Sequence, residues 1–322
     1  MVKLPEQLIF MENSRAAQKK SEISMAGKLC VISGATSGVG LEAVKALAAG
    51  GADIVMVVRD ENKAKTVQAA VEKEYGVSVD YILADFSDLN TVEKAAKTIL
   101  QKYERIHVLI NSAGMHSTRR VLNKEGVEMV FCVNHLATFL LTSLLLERMK
   151  MSAPSRIIQV NSEGHRFNGL RADDLNWEKR IYTGLRSYGA SKTAQLMTVR
   201  QLAENLEGTG VTVNAMHPGE VRTNIGNNNG RLYGWFLHHV TWHFLKDPRI
   251  SGQAIYYLAS AEDLEGVSGR FFNLTLEEKP ASHALDRNMQ KIIWQKSMEM
   301  TGLDQGNTES QGSYDEQADE FR

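Results

Sequence analysis

The sequence predicts an α/β protein: a doubly wound parallel sheet with helices on both faces, in a single domain. Three observations lead there. Apolar runs of four to six residues recur without polar alternation, as strands buried on both faces require. Stretches of helical length separate them, which calls for right-handed crossovers between parallel strands. The first run ends in a glycine-rich turn that opens a helix, the arrangement of a nucleotide-binding strand–helix unit.

The elements follow in order. Leu29–Ser33 reads as the first strand and Gly40–Ala49 as its helix. Asp53–Val58 is a strand with helix Glu61–Tyr75, and Val79–Ala84 a strand with helix Leu89–Lys102. His107–Ile110 precedes a long helix over Gly126–Lys150; Arg156–Val160 precedes a helix over Tyr188–Glu207, and Val211–Ala215 closes the series. Residues 1–26 form a mixed polar leader, read as a short helix or a mobile arm, ahead of a dinucleotide-binding and catalytic domain over 27–303. Residues Asp304–Arg322 carry six acidic residues and one basic residue, a composition that predicts a disordered tail.

Composition excludes several classes of function. The 322 residues hold 37 Lys and Arg against 38 Asp and Glu, so a basic nucleic-acid footprint is not expected. Two cysteines cannot form a disulfide framework, and Cys30 and Cys132 lie in apolar or helical contexts that suit packing. A reducing, cytoplasmic compartment is expected. There is no unbroken apolar run of spanning length, and Leu8-Ile9-Phe10-Met11 is too short and too acid-flanked for a signal peptide, so no transmembrane segment is expected.

The first strand ends in Ser33-Gly34-Ala35-Thr36-Ser37-Gly38-Val39-Gly40. Gly34 permits a tight turn, Gly38 lets backbone approach a pyrophosphate, and Gly40 lets the helix lie close to the strand. Helix N–H groups then face the phosphates. No Lys-Ser/Thr follows the last glycine, so this is not a Walker A loop. The second strand ends in Val58-Arg59-Asp60. A carboxylate at the strand end would suit the ribose diol of NAD(H), whereas the Arg59 guanidinium suits a 2′-phosphate. NADP(H) is therefore favoured over NAD(H), with Asp60 read as a helix cap.

Tyr188 and Lys192 stand four residues apart, on one face of a helix. A phenol is a poor acid–base near neutrality, and a nearby ammonium or an oxidised nicotinamide would lower its pKa. Ser162 follows a strand at the carboxyl edge of the sheet, where its hydroxyl could hold a substrate oxygen. Asn134 interrupts an apolar helix and needs a partner: backbone, water or Lys192.

Taken together, Gly34-x-x-x-Gly38-x-Gly40, Asn111-Ser112-Ala113-Gly114, Asn134, Ser162 and Tyr188-x-x-x-Lys192 resemble the short-chain dehydrogenase/reductase family, in that family's order over about residues 27–275. The resemblance implies a Rossmann-type sheet of about seven strands and a tetrad of Asn134, Ser162, Tyr188 and Lys192. In it, Tyr188 is the acid–base and Ser162 orients the carbonyl. Lys192 binds the nicotinamide ribose and lowers the tyrosine pKa, and Asn134 holds a proton-relay water. It further implies cofactor contacts from Thr36, Ser37, Val39, Asn111, Ala113 and Gly114, from Asp85 and Phe86 beside adenine, and from Pro218, Gly219, Val221 and Thr223 beside nicotinamide. It also implies homodimers or homotetramers. Ser112 stands where Asn is commoner, and 26 residues separate Ser162 from Tyr188, a long gap that contains Asp174-Leu175-Asn176-Trp177. That gap, Arg59-Asp60, the Asn134–Thr142 segment and Leu264–Gly269 resemble the retinol dehydrogenase and WW-domain oxidoreductase subgroup. This implies NADP(H) and small lipophilic alcohols, aldehydes or ketones.

A substrate lid is expected near 224–250, with an aromatic stretch over 232–245 that could line a pocket, pack in the core or touch a membrane surface. His239 and His243 are four apart but lack a third ligand, so no metal site is expected. His165 and His217 read as structural histidines. The reading is an alcohol/carbonyl oxidoreductase. Two alternatives stay open at this point: a reductase of an activated C=C bond, and a non-catalytic dinucleotide sensor or scaffold.

Overall fold

In a computed structural model, which describes residues 16–220 and 247–304, the chain forms one eight-stranded sheet. The strands are β1 (Leu29–Ser33), β2 (Asp53–Val58), β3 (Val79–Leu83), β4 (Val108–Asn111), β5 (Ser155–Val160), β6 (Val211–His217), β7 (Phe271–Asn273) and β8 (Leu276–Glu277). Their spatial order is β3-β2-β1-β4-β5-β6-β7-β8. All pair in parallel except β8, a two-residue antiparallel addition to β7 that the sequence did not announce. The order reverses between β1 and β4, and such a switch point opens a crevice at the carboxyl ends of the strands.

The helices are α1 (Gly38–Ala49), α2 (Glu61–Tyr75), α3 (Leu89–Lys102), α4 (Ala137–Met151), α5 (Gly184–Asn205), α6 (Arg249–Ser260) and α7 (Arg287–Thr301). Period-two alternation divides the strand side chains between two cores. Cys30, Ile32, Ile54 and Met56 face α1 and α6, whereas Val31, Val55, Val57 and Leu109 face α3, α4 and α5. Both faces are covered, which is why the strands read as unbroken apolar runs. Cys30 and Cys132 are free and buried.

Two helices differ from the sequence expectation. The segment expected as one helix over Gly126–Lys150 starts at Met129, with a single turn to Phe131, a wide π turn over Cys132–Leu136, and then α4. The cause of the late start is Glu128, whose carboxylate accepts the amides of Val130 (3.1 Å) and Phe131 (2.8 Å), while Gly126 takes φ +78° in the turn before it. Likewise α5 begins at Gly184, so Tyr188 lies inside its second turn. By length and composition alone, Met129–Met151 is long and apolar enough to cross a membrane, which qualifies the expectation drawn from unbroken runs. However, most of that segment is buried inside the protein, in a core shared with α3 and α5.

The described part of the leader is neither a helix nor a free arm. Lys19 pairs with Asp263 (2.8 Å), its amide donates to Thr275 (2.8 Å), Tyr256 donates to the Ile23 carbonyl (2.6 Å), and Met25 is buried. The expected lid near 224–250 falls almost wholly outside the described residues. The 232–245 stretch, His239, His243, Val221, Thr223 and the tail beyond Asp304 lie outside them entirely.

Candidate active site

The crevice has two walls. The first is the turn after β1. Gly34 has φ +68°, and a Cβ there would sit 2.8 Å from the Ala113 Cα, so only glycine lets the turns after β1 and β4 meet. A Cβ on Gly40 would strike the Gly34 carbonyl, and Gly38 takes φ +54°. Ser37 opens α1 with extended backbone and no side-chain cap, which leaves the first-turn amides facing the crevice. The sequence reading missed Ser33: its hydroxyl oxygen accepts the amides of Ser112 and Ala113 (3.1 Å each) and pins the two turns together.

Around this turn the expected contacts are distributed unevenly. Gly34 donates to the Val57 carbonyl (3.0 Å), which sets the glycine turn against the end of β2, and Arg59 emerges there exposed. Asp60 is spent as the cap of α2, accepting from the Lys63 amide (3.0 Å). Asp85 is exposed at the end of β3 and accepts from Ser87, while Phe86 is buried. Asn111 is buried with its amide donating to Thr142 on α4 (2.8 Å), so it ties β4 to that helix. Pro218 accepts from Ser251 (2.5 Å), and Gly219 has φ +84°.

The second wall carries the side chains. Ser162 caps a 3-10 turn, Glu163–Phe167, accepting from the Gly164 amide (3.0 Å). A Cβ on Gly164 would lie 2.7 Å from the Tyr188 ring, so glycine here lets the serine turn and the tyrosine share one surface. Burial pushes the Tyr188 phenol above its ordinary value, and the Ser162 hydroxyl opposes that rise. Lys192 is 3% exposed, with Nζ 5.6 Å from the Tyr188 ring centroid, and burial lowers its pKa to about 7. Its Nζ donates to the Val160 carbonyl and the Gln195 Oε1 (3.0 Å each).

Asn134 finds backbone and hydroxyl partners rather than Lys192. Its Oδ1 accepts the Met115 amide (2.7 Å), and its Nδ2 donates to the Met115 carbonyl (3.1 Å) and the Ser191 hydroxyl (3.0 Å). The π turn presents its carbonyl to Thr138 Oγ1 and Gln195 Nε2. Such wide turns often mark functional sites.

Further residues shape this wall without an advance signal. His116 packs edge-on to Tyr188 (5.9 Å), and burial keeps its pKa low. Buried Glu128 accepts from Tyr182 (3.1 Å) and Ser187 (3.3 Å), anchoring the long segment between Ser162 and Tyr188. Within that segment Arg180 stacks on Trp177 (3.6 Å) and pairs with Asp174 (3.1 Å). Within the serine turn, Arg166 is buried between Glu163 and Glu278. His165 bonds the Ser162 carbonyl (2.8 Å) and accepts the Ala281 amide (3.1 Å), a neutral structural role in which burial lowers its pKa to about 3. Buried His217 is likewise held near 3.

The family model described as short chain dehydrogenase matches residues 28–232. The chain belongs to the short chain dehydrogenase family. Among the relatives of this dehydrogenase, human retinol dehydrogenase 13 is 35% identical over 88% of this chain and 87% of its own length. Human retinol dehydrogenase 14 is 38% identical over 87% and 88%. A solved structure of an uncharacterized protein from Mycobacterium paratuberculosis superposes with TM-score 0.71 at 27% identity, covering 87% of this chain and 95% of that one. A short chain dehydrogenase from Shigella flexneri, solved with NADP, shares the fold at TM-score 0.64 and 22% identity, covering 79% and 99%. By family, this dehydrogenase is an oxidoreductase of alcohols and carbonyls.

Proposed function

We propose that this dehydrogenase uses NADP(H) to interconvert an alcohol and a carbonyl on a small lipophilic substrate, with Tyr188 as the acid–base. The observation that carries the reading is the meeting of Tyr188, Ser162 and Lys192 on one wall of a crevice whose other wall is a glycine cradle. The cradle fits a dinucleotide, because Gly34 and Gly40 let the turn after β1 close against the turn after β4 and against α1, and no side chain caps the first turn of α1. Gly34, Thr36, Ser37, Gly38, Val39 and Gly40 would hold the pyrophosphate, and Asp85 and Phe86 would border adenine. Ala113, Gly114, Pro218, Gly219, Val221 and Thr223 would border the nicotinamide side, with Asn111 bracing β4. Arg59 favours NADP(H), because the one carboxylate beside it caps α2.

The bound nicotinamide supplies or accepts the hydride. In reduction, Ser162 holds the carbonyl oxygen and Tyr188 donates a proton to it; in oxidation Tyr188 takes that proton back. Lys192, when charged, favours the phenolate. Because burial raises the phenol, alcohol oxidation should strengthen toward alkaline pH, whereas carbonyl reduction should persist through neutrality. The relatives' name, retinol dehydrogenase, makes long apolar alcohols such as retinol the first class to test.

The test follows NADPH and NADH absorbance with apolar aldehydes, ketones and enones. Consumption of NADPH with aldehydes or ketones is the expected result. Turnover of enones alone would favour C=C reduction, and binding without any turnover would favour a sensor.

A further inference from the structure

We propose that Gln195 is a positioning residue for this reaction: its carboxamide links the Lys192 ammonium directly to the Asn134 carbonyl, favours the charged lysine and fixes its Nζ in place beside Tyr188. The inference rests on the roles of Tyr188 and Lys192 proposed above.

Gln195 lies three residues after Lys192, on the same face of α5 and one turn further along. It is 1% exposed, and three polar partners surround it. Its Oε1 accepts from Lys192 Nζ (3.0 Å) and from Asn161 Nδ2 (3.1 Å), and its Nε2 donates to the Asn134 carbonyl. The partners fix which way the amide points. Two donors face the oxygen and one carbonyl faces the nitrogen, so the flipped amide would set N–H groups against an ammonium and an amide, and oxygen against oxygen.

The surroundings explain why this matters. Burial is the cause of the fall in the Lys192 pKa. The serine turn's charged groups, Glu163 and Arg166, are committed to each other and to Glu278, and His165 to Ser162 and Ala281. From the π turn, His135 is bonded to Ser297 (2.7 Å). Tyr188, on α5 itself, is the titratable neighbour that the lysine serves. What favours the ammonium against burial is therefore a pair of neutral acceptors, the Val160 carbonyl and Gln195. The Val160 carbonyl belongs to the strand, so the replaceable acceptor is Gln195. The carboxamide also spans directly from Nζ to the Asn134 carbonyl, beside the residue to which the family resemblance assigned a proton-relay water.

The test needs no substrate. The ε-carbon NMR signal of Lys192, assigned by its loss in Lys192→Arg, is titrated in the full chain. Gln195→Met keeps the volume and removes the acceptor, and should lower the titration midpoint by about one pH unit, a tenfold loss of protonation. Gln195→Glu keeps an oxygen on Nζ and adds charge, and should raise it. A Gln195→Met midpoint equal to the unaltered protein's overturns the proposal. If Gln195→Met does not fold, by circular dichroism, Gln195→Glu decides: an upward shift supports the proposal and an unmoved midpoint overturns it. Activity measurements separate the two readings. A substrate turned over equally by Tyr188→Phe would sink the acid–base role, while the lysine titration would still judge Gln195 by itself.

Discussion

The turn after β1 and the turn after β5 face the same crevice, yet they are made of different materials. The first is backbone: Gly34 and Gly40 are shaped by collisions that a Cβ would cause, and the polar groups it offers are amides at the start of α1. The second is a network of buried side chains from the π turn, the serine turn and α5, in which Asn134, Asn161, Lys192 and Gln195 each bond to at least two partners. A backbone cradle depends on a few positions close in sequence. A side-chain network depends on partners far apart, and each loss strands a buried polar group.

That contrast can be broken in four places. Lys192→Met should have the largest effect, lowering turnover by about 10³-fold through the lost proton-transfer support. An unchanged kcat would show that the second wall does not work as a unit. Gly34→Ala acts on the first wall. It combines φ +68° with a 2.8 Å contact, so it should cost roughly 1–3 kcal/mol of stability and weaken NADPH binding about tenfold or more. Calorimetry and a binding titration read both quantities, and retained affinity would mean the turns can part cheaply. Arg59→Ala should weaken NADPH binding about tenfold and leave NADH binding nearly unchanged, a modest effect because the guanidinium is exposed. Equal losses would remove the 2′-phosphate role.

The smallest effect concerns the support under Ser162. Burial and the neighbouring Glu278 raise the Glu163 pKa from 4.5 to about 7. The folded protein then binds more protons than the unfolded chain between those values, so this group makes stability fall as pH rises from about 4.5 to about 7. Glu163→Gln should flatten that decline, shrinking the difference in Tm between pH 5 and pH 7 by about 2–4 °C. An unaltered pH profile would show that Arg166 holds the Glu163 carboxylate ionised.

The two walls also differed in how far the sequence disclosed them. The cradle was legible because its determinants are local: glycine spacing between a strand and a helix, and Arg59 at the next strand end. Tyr188, Lys192, Ser162 and Asn134 were legible as a pattern, and the fold does bring the first three together. What stayed hidden was each partner chosen by packing. Asn134 could have bonded backbone, water or Lys192, and only the fold selects Met115 and Ser191. Gln195 looks like any polar residue inside a helix. Glu128 reads as a surface acid until its carboxylate is seen to cap the turn at Met129 and shift the helix start. Likewise Asn111 matched a cofactor motif, yet its amide braces β4 against α4.

The acid–base role of Tyr188 is tested by a single-turnover measurement with NADPH, an apolar aldehyde and the Tyr188→Phe variant beside the unaltered protein. Phenylalanine keeps the ring against Gly164 and His116 and removes only the hydroxyl. NADPH affinity should be unchanged and the hydride-transfer rate reduced by about 10²–10⁴-fold. A rate within about twofold of the unaltered protein's would contradict that role, because the proton would then come from a group other than Tyr188.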